Sequence, residues 1–162
     1  MIVLKNTKEC IMTLNNIDSY FVSQTKVGTQ SQVTTGKIVL ARSIKTDIND
    51  YANLMVSSHI AVEQSLEQIL QKKAIKPIDA SLLINAYQAL YNVLEDTNII
   101  EFEGLYIYEQ VKYQQGNVAL YQLQIAQGSD ADLIQFAKQT LPKILDHQQL
   151  ILKLADKYQV SI

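Results

Sequence analysis

Helix-breaking residues are scarce in this chain, and apolar residues recur along it at intervals of three and four. The 162 residues include only five glycines and two prolines, and no stretch alternates apolar and polar residues as a half-buried strand does. Spacings of three and four place apolar side chains on one face of a helix, which that face buries against a neighbour. The chain therefore predicts an all-α fold of amphipathic helices that pack together.

Breaks in this periodicity divide the chain into four long helices and one short one. The long helices are predicted at 17–44, 48–73, 99–127 and 130–158, and the short helix at 80–94, after a loop at 76–79 that contains Pro77. Each long helix is about 40 Å in length. Short connections within the first and second pairs of long helices predict two antiparallel hairpins. The pattern therefore favours an antiparallel four-helix bundle, with one extra short helix before the third long helix.

Capping residues mark several helix ends. Thr46 or Asp47 is expected to cap the second long helix. Gly128 suits a left-handed position just after the third long helix. Ser129, with Asp132 three residues later, resembles a capping box for the fourth. These caps place the turns of both hairpins.

The packed domain is expected to cover residues 17–158, preceded by a flexible N-terminal segment at 1–16. That segment has two short apolar patches separated by polar and charged residues, and it lacks the continuous apolar region of a secretory signal. No apolar run in the chain approaches the roughly 18 residues that a transmembrane helix needs. We therefore expect a cytoplasmic protein, unless a secretory signal precedes Met1.

Charge and cysteine content narrow the classes of function. The net charge is −2, and the only basic cluster, Lys72, Lys73 and Lys76, falls where a helix end favours cations. Nucleic-acid binding is therefore not expected. A single cysteine, Cys10, excludes a disulfide within the chain and a cysteine-based zinc site. A second copy of the chain or another protein is left open as a partner.

The chain contains two histidines, and each lies within the apolar stripe of a long helix. His59 follows Met55 by four residues and precedes Val62 by three, while His147 lies between Ile144 and Ile151 at the same kind of spacing. A histidine in a helical core has to be hydrogen-bonded, metal-bound or neutral. His59 and His147 are therefore the best candidates for functional residues.

Distances along the helices place further polar residues near the histidines. If the topology is up-down-up-down, both hairpin turns lie at one end, and Gln32, His59 and Gln114 share one layer. His147 then lies about 7 Å deeper. Tyrosines of the third long helix, Tyr106 among them, supply hydroxyls that need partners when buried. The expected site is a polar layer of Gln32, His59, Gln114, His147 and Tyr106.

Two hypotheses fit this layer, and a small apolar ligand bound between the helices is a third possibility. The first is a hydrogen-bonded core of a non-enzymatic structural or interaction module, with no cofactor. The second is a transition-metal site for Fe, Zn or Cu on His59 and His147, assisted by Met55 or Glu109. A di-iron site of the carboxylate type is excluded, because Glu-x-x-His occurs nowhere in the chain. Ser58 projects about 100° away from His59, so neither histidine is expected to have a serine neighbour, and catalysis is not expected.

Motifs in all four long helices resemble a family of uncharacterised bacterial ferritin-like domains, described as predicted outer-membrane or periplasmic proteins of unknown function. The resemblance covers about residues 17–157. The motifs are Gln32-Val33-x-x-Gly36-x-x-x-Leu40-Ala41, Tyr51-Ala52-x-x-Met55-Val56-x-x-His59, Phe102-x-x-x-Tyr106, and Phe136-Ala137 with Thr140-Leu141-Pro142, His147 and Leu150.

The resemblance implies a ferritin-like four-helix bundle, export to the periplasm, and a stress-related role by analogy. The family usually carries Glu at the position of Gln32 and His at the position of Gln114. Two potential ligands are thus amides in this chain, and amides are poor ligands for transition metals. His59 and His147 match the family pattern. If the family binds a metal at these four positions, the resemblance implies that this chain has lost or weakened the site.

Overall fold

Five α-helices form the described part of the protein. A computed structural model describes residues 14–75 and 81–162, so residues 1–13 of the predicted flexible segment and the loop at 76–79 lie outside it. The helices are α1 (Asn16–Arg42), α2 (Thr46–Lys72), α3 (Ser81–Asp96), α4 (Ile99–Gln127) and α5 (Ala131–Lys157). No residue in these two ranges is in a strand. None of the helices described is both long and apolar enough to span a membrane. The all-α prediction is confirmed, and each helix end falls within two residues of its predicted position.

The two hairpins, α1–α2 and α4–α5, pack against each other with their turns at opposite ends. Asp18, in the first turn of α1, accepts a hydrogen bond of 2.6 Å from the Ser129 hydroxyl at the α4–α5 turn. At the other end, Asp47 in the first turn of α2 binds the Lys157 ammonium at the end of α5, also at 2.6 Å. The helices are therefore not in the up-down-up-down order on which the predicted shared layer depends. The order differs because α3 carries the chain back along the molecule before α4 begins.

The short helix α3 packs along α1 and ends beside the C-terminus of α1. The Arg42 guanidinium donates hydrogen bonds to the backbone carbonyls of Leu94 and Thr97. It also lies over the Phe102 ring, 4.3 Å from the ring centroid. A cation suits these carbonyls because the last carbonyls of a helix have no partner within the helix and carry partial negative charge. Arg42 thus fixes the end of α3 and the start of α4.

The buried apolar residues form two clusters, one toward each end of the molecule. The first includes Met55, Val111 and Ile151, and the second includes Leu66, Tyr121 and Ile144. On α2, α4 and α5, His59, Tyr113 and His147 each fall in sequence between a member of the first cluster and a member of the second. The polar side chains thus interrupt the core at the boundary between two apolar regions.

Two of the predicted caps at the α4–α5 turn are wrong. No described glycine has a positive φ, and the Gly128 N–H continues the helical pattern with a 2.9 Å bond to the Gln124 carbonyl. Asp130 caps α5, since its side chain accepts hydrogen bonds from two backbone N–H groups of the first turn. Ser129 is drawn away from capping because its hydroxyl and its N–H both donate to the buried carboxylate of Asp18.

The predicted cap of α2 is also wrong. Lys45 is the N-cap residue and makes no side-chain cap bond. Asp47 lies inside the first turn, where its carboxylate accepts hydrogen bonds from Lys157 at 2.6 Å and from the Tyr158 hydroxyl at 2.8 Å. The Asp47 side chain therefore forms a tertiary ion pair with Lys157 and does not cap the helix.

Candidate functional site

The two histidines face each other across the interface of α2 and α5. Both are buried, with 5% of His59 and 7% of His147 exposed. Their ring centroids lie 6.3 Å apart and the ring planes are inclined by 33°. Helical periodicity explains the placement, because each ring lies on the inward face of its own helix. The structure thus brings together the two residues that the sequence singles out.

Hydrogen bonds fix the tautomer of His59. Its Nδ1 lies 2.8 Å from the Met55 carbonyl oxygen, and a carbonyl can only accept, so Nδ1 carries the proton. Nε2 is therefore unprotonated, and its lone pair accepts a hydrogen bond from the Tyr113 hydroxyl at 3.3 Å. A backbone carbonyl behind the ring is the arrangement that orients histidine ligands in metal sites.

His147 is less completely bonded. Its Nε2 lies 3.3 Å from the Ser58 hydroxyl oxygen, and its buried Nδ1 has no hydrogen-bond partner in the part of the chain that the structure describes. The expectation that neither histidine has a serine neighbour is therefore wrong. Ser58 does point away from His59, but the rotation of about 100° per residue directs it toward α5 and His147.

Burial keeps both rings neutral near pH 7. Burial lowers the pKa of His59 to about 4; the bond to the Met55 carbonyl opposes this shift, and the nearby His147 adds to it. Burial also lowers the pKa of His147, with Asp146 opposing the shift and Lys143 adding to it. Desolvation raises the pKa of Tyr113 well above its usual value, so its hydroxyl remains a donor. Each ring thus keeps one unprotonated nitrogen at neutral pH, and that of His59 is the acceptor of the Tyr113 hydroxyl.

A cavity of about 400 Å³ lies beside the two rings. Buried residues such as Thr25 of α1 and Tyr121 of α4 line its inner part, whereas its outer part is lined by exposed residues of α2 and α5, among them Ser57 and Lys143. The site is therefore open toward solvent between α2 and α5. A cavity of this size is at the lower end of the range that holds small ligands.

The other predicted site residues lie outside this cavity. The Gln114 amide donates to the Tyr51 hydroxyl and to the Met55 sulfur, both at 3.3 Å. The Tyr106 ring packs edge-to-face on Tyr51 with a centroid distance of 6.4 Å. Gln32 is buried in α1. None of Gln32, Tyr106 and Gln114 lines the cavity.

The residues predicted to assist a metal are also placed elsewhere. Neither Met55 nor Glu109 lines the cavity, and the Met55 sulfur already accepts the Gln114 amide. The predicted single layer is therefore divided between the histidine cavity and a cluster around Gln114, Tyr51 and Met55 beside it.

Two residues of the cavity wall and one buried carboxylate elsewhere are not among the predicted site residues. Ser58 and Lys143 line the cavity, and Lys143 precedes His147 by four residues, which is a spacing that places both on one helix face. Asp18 is fully buried. Burial raises its pKa, but hydrogen bonds from Ser129, Gln124 and Asp130 together hold the pKa below its usual value.

The separation of the rings bears on whether they can share an ion. With metal–nitrogen bonds of about 2.1 Å and a ring radius of about 1.2 Å, two imidazoles on one ion have centroids about 5–6.5 Å apart. The observed 6.3 Å falls within this range, near the value for a linear arrangement. In the described residues, no group of three or more His, Cys, Asp and Glu side chains is placed to hold a metal.

The fold and the site define an all-α protein with a buried histidine pair beside a cavity. The fold is similar to that of a solved structure, a DUF305 fragment from Deinococcus radiodurans, with a TM-score of 0.74 and 14% sequence identity over 90% of this chain and 99% of that one. No protein of curated function matches the chain. Residues 6–154 match the domain of unknown function DUF4142, and the chain belongs to that family.

Proposed function

We propose that the protein is a ferritin-like four-helix bundle that binds a transition metal ion between His59 and His147. The bundle consists of α1, α2, α4 and α5, with neighbouring helices antiparallel, and α3 is the one long crossover. Ferritin-like folds have one such crossover connection. The observation that carries the function is the pair of buried neutral imidazoles with ring centroids 6.3 Å apart.

The chemistry around the rings supports this proposal. His59 presents Nε2 as the coordinating atom, because its Nδ1–H is held by the Met55 carbonyl. His147 has one nitrogen without a protein partner among the described residues. Imidazole suits Fe, Zn and Cu, and the cavity has room for waters that complete the coordination. The partners that reach the rings are hydroxyls and a carbonyl, so we propose a binding site with no catalytic role.

A second candidate function is a structural or interaction module that needs no ion. The hydrogen bonds from Tyr113 to His59 and between Ser58 and His147 favour it, because they satisfy polar atoms of a buried layer. Exposed aromatic side chains, Tyr20 at 51% and Tyr108 at 38%, are candidates for contact with a partner. A stress-related role rests on the family resemblance alone.

Calorimetric titration of tag-free protein with Zn²⁺, Cu²⁺ and Fe²⁺ separates the two candidates. We expect one equivalent of at least one metal to bind, and we expect His59→Gln and His147→Gln each to weaken that binding by more than about tenfold. Gln149→Ala is the control, since Gln149 is an exposed residue of α5 that does not line the cavity. Circular dichroism checks that each variant is folded. The metal proposal would be overturned if none of the three metals binds, or if both histidine variants bind the metal as tightly as the wild type does.

A further inference from the structure

The cavity beside the histidines is larger than an ion requires. Its volume is about 400 Å³, which is far more than the space that one ion or one water molecule needs. A metal ion on His59 and His147 would occupy only the side of the cavity formed by the two rings. Space therefore remains for a second ligand in contact with the ion.

The charges around the cavity indicate the charge of that second ligand. Lys143 is the one charged residue among the described residues that line it, and these include no Asp or Glu. Two neutral imidazoles leave the full charge on a divalent ion, and a buried charge without a counterion is unfavourable. Lys143 adds a second positive charge on the same face of α5 as His147. An anion would compensate both charges.

The neighbouring carboxylate does not supply this compensation from within the cavity. Asp146 is exposed and raises the pKa of His147, but it is absent from the cavity wall. None of the ion pairs in the described ranges involves Lys143. The Lys143 ammonium is thus available to a ligand that enters between α2 and α5.

The uncharged residues of the cavity wall favour an organic anion over an inorganic one. Val62, Phe136 and Ile144 give the cavity an apolar side, and Asn117, Gln139 and Thr140 give it hydrogen-bonding groups. Ligand sites of this mixed kind bind molecules with an apolar body and few polar atoms. An inorganic anion would leave the apolar side in contact with water only.

We propose that the cavity binds a small organic carboxylate together with the metal ion. The carboxylate lies between the ion and Lys143, and its apolar part packs against Val62 and Phe136. This inference rests on the proposed metal site and assigns the class of its second ligand.

The test is a pair of zinc titrations of the tag-free full chain, with and without sodium benzoate. Benzoate is a monocarboxylate and competes little for zinc in solution. We expect benzoate to lower the zinc Kd about tenfold, and by linkage zinc must lower the benzoate Kd by the same factor. Sodium sulfate serves as the inorganic anion, and an equal effect of sulfate would overturn the assignment to an organic carboxylate.

Two lysine variants show whether the effect depends on the cavity. Lys143→Met keeps a long side chain without its charge, and we expect it to reduce the benzoate effect to about twofold or less while zinc binding alone is retained. Lys138→Met, at an exposed position of α5 outside the cavity, should keep the full effect. Zinc binding without any benzoate effect would overturn this inference and leave the metal site standing. No zinc binding in either titration would also overturn this inference, and the metal site would be overturned with it only if Cu²⁺ and Fe²⁺ fail to bind as well.

Discussion

The buried His59 ring is expected to make this protein lose stability as the pH falls below the ordinary pKa of histidine. Burial lowers the pKa of His59 from 6.5 to about 4 in the folded protein. Between these two values the unfolded chain binds a proton that the folded chain does not bind. The free energy of unfolding therefore falls with falling pH in this window, and the stabilisation is fully present above pH 6.5.

The size of the effect follows from the shift in pKa. Since a tenfold change in an equilibrium constant corresponds to about 1.4 kcal/mol, lowering the pKa of His59 from 6.5 to about 4 costs about 3 kcal/mol once both states are protonated. Most of this cost is reached by pH 4.5. The total stability of a domain is about 5–15 kcal/mol, and a loss of this size is therefore measurable.

Urea unfolding followed by circular dichroism at several pH values between 7.5 and 4.5 measures the loss. The comparison is with His59→Gln, which cannot titrate and retains His147. We expect the free energy of unfolding of the wild type to fall by about 2–3 kcal/mol more than that of the variant across this range. Asp18 does not interfere, because its pKa is lowered below 3.8 and its contribution is lost only at lower pH. Parallel pH profiles for the two proteins would refute a desolvated, neutral His59.

Further variants test the packing and the buried carboxylate. A Cβ at Gly36 would lie 2.5 Å from the Val56 side chain and 3.2 Å from a backbone oxygen, whereas nothing lies within 4 Å of one at Gly116. In thermal unfolding Gly36→Ala should therefore lower stability by about 1–2 kcal/mol, and Gly116→Ala should raise it by up to about 1 kcal/mol; equal effects would contradict this packing. Asp18→Asn should cost about 2–3 kcal/mol in urea unfolding, because two donors of Ser129 lose a charged acceptor. A loss below about 0.5 kcal/mol would show that Asp18 is not buried as described.

The helices were predictable from the sequence because the information is local. Apolar spacing and a few turn residues place every helix end within two residues of its position in the structure. The order of the helices in space was not predictable in the same way. It depends on the direction of α3, which is set by tertiary contacts such as that of Arg42 with the α3 carbonyls.

The candidate site was predictable only in part. His59 and His147 stand out because they are the two histidines of the chain and both lie on apolar stripes, and the structure brings them together. The position of Gln114 outside the cavity was not predictable, because the predicted layer assumed that both hairpin turns lie at one end, and they lie at opposite ends. The contact of Ser58 with His147 was not predictable either, since it depends on how α5 packs against α2 and not on the sequence around Ser58.

The most direct test of the metal site is a long-range proton–nitrogen NMR spectrum of the imidazoles during a zinc titration. The chain has only two histidines, so two ring spin systems are expected. Without metal, His59 should show the Nδ1–H tautomer that its bond to Met55 requires. With one equivalent of zinc, we predict that a ring nitrogen of each histidine shifts together and saturates together. A shift of only one ring, or zinc binding that shifts neither ring, would contradict a shared ion between His59 and His147.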